Sequence, residues 1–514
     1  MAALITVALR RIMKAALIFV VSAVLLTVVA GAIVARVLLR KLQTKLEASN
    51  IHIGSLSVNL FTRSIMLKDI EWDHKARINS AYAAGIRLIP LVRHSRISVR
   101  RLVVDGGSLD IVRDSTQHIQ PMDSTHITGI DADRITISNI DVTIKRDTVT
   151  EYRATVGLVL HFVALDTLAL YKSVSAYALK NLEGTVKNLR IYSAGGLYVL
   201  RTKRLDFNKE LKEVHIDSLT LDPIPSKANW GAVVKGQDTR TELMIARVDA
   251  VGVTMNVHLK DTAVVARSLT IDGWSIHCYK NKKYPFNRTE RFPLPMESFR
   301  SIRLAVEVDA IKLHNGTIIY EELPNKGVHN SEIKFDEVEA KINAVSNRTY
   351  ENYPDYSTIH ASGRIMKSGD VKAIFKLPLE PKKRYSAEGS ISNLPLKELN
   401  PLLKDIAFVQ ISSGKMNKLL FQFQYDDEGS LGQLHFDYED LRILSLNKDA
   451  DQEVNMLKTV FVNMAVKNNR TLDGTINVKR FKKKAVFHLW TISLLDGIKS
   501  AIIPGVGEKK KKKK

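Results

Sequence analysis

The chain has 514 residues, with 76 Lys and Arg against 54 Asp and Glu and a formal net charge of +22. Its 45% apolar and 25% charged residues are a globular composition, which excludes a disordered chain and a polytopic membrane protein. A single cysteine, Cys278, excludes internal disulfides and any multi-cysteine zinc or iron–sulfur centre.

The first element is a charge-free run from Ala15 to Ala35, long enough as a helix to cross the ~30 Å hydrocarbon core of a bilayer. Ala30-Gly31-Ala32 fits a signal-peptide cleavage site. Apolar sequence nevertheless continues through Ile33 and Val34 and again at Val37–Leu39, so the run reads as an uncleaved anchor with a helical extension, residues 1–48. Arg10, Arg11 and Lys14 precede it and Arg36, Arg40, Lys41 and Lys45 follow, which leaves the orientation open. No second such run occurs, and the remaining chain is expected on one side of the membrane.

From residue 49 onward the dominant signal is period two, the mark of strands with one buried face. Apolar residues Leu102, Val104, Leu109 and Ile111 surround Gly107, and Ile311, Leu313, Ile318 and Tyr320 surround Gly316 with the same spacing. The pattern returns as Ile135, Ile137, Ile140, Val142 and Ile144, and as Val214, Ile216, Leu219 and Leu221. Leu269 and Ile271 before Gly273 are a shortened version. Each copy has two inward residues, a break that shifts the phase, and a strand that resumes inward, as a bulge or tight bend would produce. The spacing between copies is irregular, so no fixed-period solenoid is expected. The β region is divided at residue 380, with a second β segment over residues 381–480.

In that second segment Phe421 and Phe423 alternate with Gln422 and Gln424, and Leu434, Phe436 and Tyr438 alternate with His435 and Asp437. The turn residues Asp426-Asp427-Glu428-Gly429-Ser430 lie between them. The five apolar positions therefore share one face of an antiparallel hairpin, a candidate lipid-contacting surface. Leu396–Leu403 is expected to be a short helical insert. The last element, within residues 481–514, is a helix over 486–503 with Phe487, Trp490, Leu494 and Ile498 on one face. Lys482–Lys484 and Lys509–Lys514 flank it. It is read either as a helix lying on a membrane surface or as one packed against the sheet.

No nucleophile elbow, phosphate loop, zinc helix or EF-hand loop occurs, and the 14 histidines are scattered. No catalytic residue, cofactor or metal ligand is assigned, and no enzyme activity is expected. Cys278 has no activating partner in the sequence and reads as structural. The basic residues are spread over many strands without a recognition helix, so anionic lipid is favoured over nucleic acid as the counter-charge.

Ile51–Asn59 and Ser64–Trp72 after an N-terminal anchor resemble the opening of the AsmA-like family of Gram-negative envelope proteins. Ile391–Leu402, Ile411–Met416, the strand ending Asp440–Ile443, and Leu489–Lys499 are similar to that family's C-terminal region. The family is related in architecture to chorein-type bridge-like lipid-transfer proteins. The resemblance implies a mainly β protein, in which one N-terminal transmembrane helix precedes an elongated, curved antiparallel sheet forming a groove or half-barrel. A C-terminal amphipathic helix follows. It also implies an inner-membrane anchor, a periplasmic body, and lipid carried on the apolar face for outer membrane biogenesis. Phospholipids or other envelope lipids are then the expected partners, with envelope proteins beside them. Oligomeric state is left open. Alternating strands fit a closed β core equally well, so a non-catalytic envelope scaffold is the alternative.

Overall fold

The computed structural model describes residues 51–502, apart from residues 60–61, 73–75, 88–95, 114–128, 147–148, 167–181, 194, 209–211, 258–261, 326–328, 349–353, 382 and 448–469. The anchor (residues 1–48) and the lysine tail (509–514) lie outside the described residues. Among the described residues no helix is long and apolar enough to cross a membrane.

The protein is mainly β. In chain order the strands begin β1 (Ile51–Asn59), β2 (Ser64–Trp72), β3 (Ala76–Ala84), β4 (Arg96–Arg113) and β5 (Gly129–Arg146). They continue as β6 (Val149–Asp166), β7 (Leu182–Tyr192), β8 (Tyr198–Asn208), β9 (Glu213–Pro223), β10 (Arg240–Val251) and β11 (Thr254–Val257). Next come β12 (Thr262–Asn281), β13 (Ala305–Leu323), β14 (Ser331–Ser346), β15 (Tyr356–Ile365) and β16 (Gly369–Pro378). The last are β17 (Tyr385–Pro395), β18 (Val409–Tyr425), β19 (Gly429–Ser445) and β20 (Arg470–Lys479). Among the described residues four helices punctuate them: α1 (Trp230–Val234), α2 (Pro295–Arg300), α3 (Asn400–Ala407) and α4 (Val486–Ile502). A 3₁₀ turn, Leu396–Leu399, leads into α3. The expected insert and terminal helix are therefore present. α1 and α2 were not expected, although Pro295 and Glu297, whose carboxylate accepts from the Leu294 amide at 2.6 Å, are ordinary helix-start chemistry.

The chain divides into two compact units, Met1–Leu219 with Val251–Ala263, and Thr220–Ala250 with Val264–Lys514. In the first, β1 to β4 pair antiparallel in sequence order, as do β5 to β8. The join between these two sets departs from the expected antiparallel sheet. β4 and β5 are parallel, at a constant offset that puts Leu102 beside Ile135, Val104 beside Ile137, Gly107 beside Ile140 and Leu109 beside Val142. The two copies of the recurring pattern thus lie side by side in register. Parallel neighbours need a crossover rather than a tight turn between them.

The breaks in that pattern are left-handed residues inside long strands. Gly106, Asn139, Ser218, Gly273 and Asn315 have φ between 55° and 69°. The register slips between Ile137 and Ile140 and between Leu313 and Gly316, as bulges require. Asparagine tolerates this conformation because its short amide can bond locally. Asn139 donates to Asp105 at 3.0 Å, Asn315 to Asp272 at 2.7 Å, and Asn393 (φ 58°) to Asp370 at 3.0 Å. The same Asn-to-Asp bridge therefore ties a left-handed residue to the neighbouring strand in three places, at a register slip for Asn139 and Asn315. At Gly316 a Cβ would lie 2.1 Å from the Trp274 ring, so the missing side chain lets the β12 indole pack directly against β13.

In the second unit β13 to β20 pair antiparallel in sequence order. Arg291, Arg480 and Lys482 converge on Asp427 in the β18–β19 turn. Arg480, whose side chain is almost wholly buried, also donates to the Phe292 carbonyl. This knot fastens the segment before α2 to the hairpin tip.

Candidate functional site

Two apolar sheet faces are candidates for holding a lipid chain, and they differ in what covers them. In the first unit the inward residues align into rows that cross the strands. One row runs Ala81, Val104, Ile137, Leu158, Gly184, Phe207. The next runs Ile78, Gly107, Ile140, Val156, Val186, Leu205. Each spans six strands, or about 24 Å at ~4.8 Å per strand. The opposite face is polar: Lys187 pairs with Arg204 and Thr185 with Asp206, whose carboxylate the Arg204 and Thr185 donors hold below the usual range despite burial that would raise it. From β2 to β6 most inward side chains are buried, with Ile65, Leu67, Leu102 and Ile111 each 1% exposed, while Ile78 and Val156 of the second row are half-buried. On β7 to β9, Val186, Leu205, Phe207 and Ile216 are only half-buried. Among the described residues no helix belongs to this unit.

The C-terminal face is the one sequence alternation singles out. Phe421, Phe423, Leu434, Phe436 and Tyr438 do share a face, because Phe421 registers with Leu434 across β18 and β19. That face is filled by the protein's own helices. Phe423, Leu434, Phe436 and Tyr438 are 1–3% exposed, and Phe421 is half-buried against the same core. Leu489 of α4 is equally buried, and Leu294 and Met296 at α2 join the cluster with Leu396 of the 3₁₀ turn. Trp490 stacks on Phe375 of β16 at 4.8 Å between centroids and meets Tyr425 of β18 edge-on at 5.9 Å. A helix packed on β19 and β20 can reach β16 only if the sheet curls around it.

The seam of α4 also differs from the expected strip. Val486, Leu489, Ser493, Gly497 and Ala501 face the sheet. Trp490, Leu494 and Ile498 are half-buried flanks, and Phe487 is 69% exposed. Small residues make this seam because the helix approaches closely: a Cβ on Gly474 would lie 2.1 Å from the Gly497 carbonyl oxygen. Ser493 shares a buried hydroxyl contact of 2.6 Å with Ser430. Asp496 accepts from the Asn477 amide at 2.9 Å and Ser500 from the Thr475 amide at 3.1 Å, satisfying donors along β20. The four-residue spacing of Ser493, Gly497 and Ala501 was the sequence signal for this seam, hidden by the louder aromatic strip.

Among the described residues charged side chains gather in ion-paired clusters. Glu321 takes Lys227 at 2.5 Å and His277 at 2.9 Å, and these partners hold its carboxyl below the usual range although burial opposes them. Burial pushes the Cys278 thiol up, opposite to the shift that activates a nucleophile. Among the described residues no group of three or more His, Cys, Asp or Glu is arranged to hold a metal ion. No protein-family model matches the chain, and no curated protein matches it.

Proposed function

We propose that this protein is a membrane-anchored envelope protein that shields or transfers lipid acyl chains along the apolar face of its first unit. Its single N-terminal anchor lies in the inner membrane and its body in the periplasm, and it serves outer membrane biogenesis or homeostasis without catalysis. The observation that carries this reading is the set of apolar rows crossing β3 to β8, half-exposed on β7 and β8, with a polar face behind them. Moving a two-chain phospholipid with about 30 methylenes through water costs ~24 kcal/mol at ~0.8 kcal/mol per methylene. A carrier must therefore keep the chains covered, which needs apolar shape and no reactive group. Photo-crosslinking residues at Val186 or Leu205 of the full chain in its host membrane should capture phospholipid, while those at Lys187 or Arg204 should not. Equal capture from both faces, or none from either, rejects the assignment.

A second reading, a non-catalytic scaffold with a closed core, is favoured by the packing of α2 and α4 into the C-terminal sheet. Native mass spectrometry of protein extracted from its membrane separates the two: co-purifying phospholipid supports carriage, and bare protein supports the scaffold.

A further inference from the structure

The end of β12 and the entry to α4 bring like charges together. Lys280 and Lys282 lie at and just beyond the end of β12, Phe286 stands in the loop that follows, and Phe481 and Lys484 lie in the segment leading to α4. Lys484 Nζ is 5.4 Å from the Phe481 ring centroid and 6.0 Å from that of Phe286. Lys280 Nζ is 5.8 Å from the Phe286 centroid, and the two rings are 6.1 Å apart. Lys484 Nζ also lies 3.3 Å from His488 Nε2, to which it can donate only if that ring nitrogen is unprotonated.

Among the described residues Glu322 is the carboxylate in direct contact with this group, and it is already engaged. Glu322 takes Lys282 at 2.5 Å and the Tyr320 hydroxyl at 2.6 Å. Asp238 acts on Lys280 only at longer range. Among the described residues no carboxylate lies within 4 Å of the Lys280 or Lys484 ammonium. Burial, then the neighbouring lysines, pushes the Lys280 and Lys484 ammonium groups below their ordinary value. The same causes push His488 down to about 4. The cluster is short of negative charge. Around it three phenyl rings face solvent: Phe286 is 36% exposed, Phe481 49% and Phe487 69%.

Uncompensated ammonium groups rimmed by exposed aromatic rings match the chemistry of an anionic bilayer surface. Phosphodiesters there meet lysines, and phenyl rings enter the headgroup boundary. We propose that Lys280, Lys282 and Lys484, with Phe286, Phe481 and Phe487, form a docking surface for an anionic phospholipid membrane. A lipid phosphodiester sits between Lys280 and Lys484, and the three rings enter the interface. This surface does not depend on acyl-chain carriage by the first unit: a protein that holds no lipid would still dock.

The test uses the full chain held in phosphatidylcholine nanodiscs and floated with vesicles. Vesicles containing phosphatidylglycerol should carry it up, pure phosphatidylcholine vesicles should not, and added salt should weaken the association. Replacing Lys280 and Lys484 together by glutamine should lower affinity by about tenfold or more, without lowering the thermal midpoint, because two partly buried charges are removed. Phe286→Trp should be quenched by phosphatidylglycerol vesicles with brominated acyl chains. The proposal is overturned by equal flotation with and without phosphatidylglycerol, by unchanged affinity in the lysine variant, or by an unquenched Phe286→Trp. Stabilisation by inorganic phosphate without any vesicle binding would make this a free-phosphate site and overturn it too.

Discussion

Asn315 of β13 holds left-handed backbone and donates its side-chain amide to Asp272 of β12, 2.7 Å away. The pair lies where the β13 register slips against β14, so one residue both makes the bulge and ties it to the strand behind. With the equivalent bridge from Asn139, it lets strands of 18 to 20 residues bend without breaking their ladders. Strands so far beyond the usual five or six residues would otherwise have only twist to absorb their length.

Replacing Asn315 by Ala should therefore cost about 1–3 kcal/mol, combining left-handed strain with a lost hydrogen bond. Asn315→Gly keeps the backbone conformation and should cost less. Denaturation midpoints of the two variants check the order, and a Gly variant that is the less stable would contradict it.

Gly474→Ala should lift α4 off the sheet, since the new methyl meets the backbone of Gly497 rather than a movable side chain. Overpacking of this kind costs about 1–3 kcal/mol. Hydrogen exchange over Val486–Ile502 should quicken while that of β13 stays unchanged.

Trp490→Ala should destabilise the second unit by about 2–4 kcal/mol, because it empties the space between Phe375 and Tyr425. Phe487→Ala, at an exposed position, should change stability by less than about 0.5 kcal/mol. Thermal unfolding distinguishes them. Equal effects would mean that α4 is not seated through its indole.

Asp427→Asn should leave the Arg480 guanidinium buried without its carboxylate, at a cost of about 3–5 kcal/mol. Burial alone would raise the Asp427 pKa, but Arg291, Lys482 and Arg480 hold it below the ordinary value of 3.8. The stability it supplies is thus complete above that value and is lost as pH falls through the lower folded one. Acid titration of stability should be steeper below about pH 4 in the native protein than in the Asn variant.

Period two is a property of the pleat itself, so alternation alone marked the strands, and a shift of phase alone marked the left-handed breaks at Gly106, Asn139, Gly273 and Asn315. The shared face of Phe421, Phe423, Leu434, Phe436 and Tyr438 was legible for the same reason, as was a helix near Val486. What covers a face is not written in its alternation. Trp490 reaches Phe375 from another element, and the Ser493–Gly497–Ala501 seam makes sense only against Gly474 and Ser430. The parallel pairing of β4 with β5 likewise depends on where the chain returns, not on either strand's composition. Tertiary structure alone brings Lys280 to Lys484. Both ammonium groups stand beside the one Phe286 ring, a placement set by how the loop after β12 packs against the segment before α4 and by neither segment's own sequence.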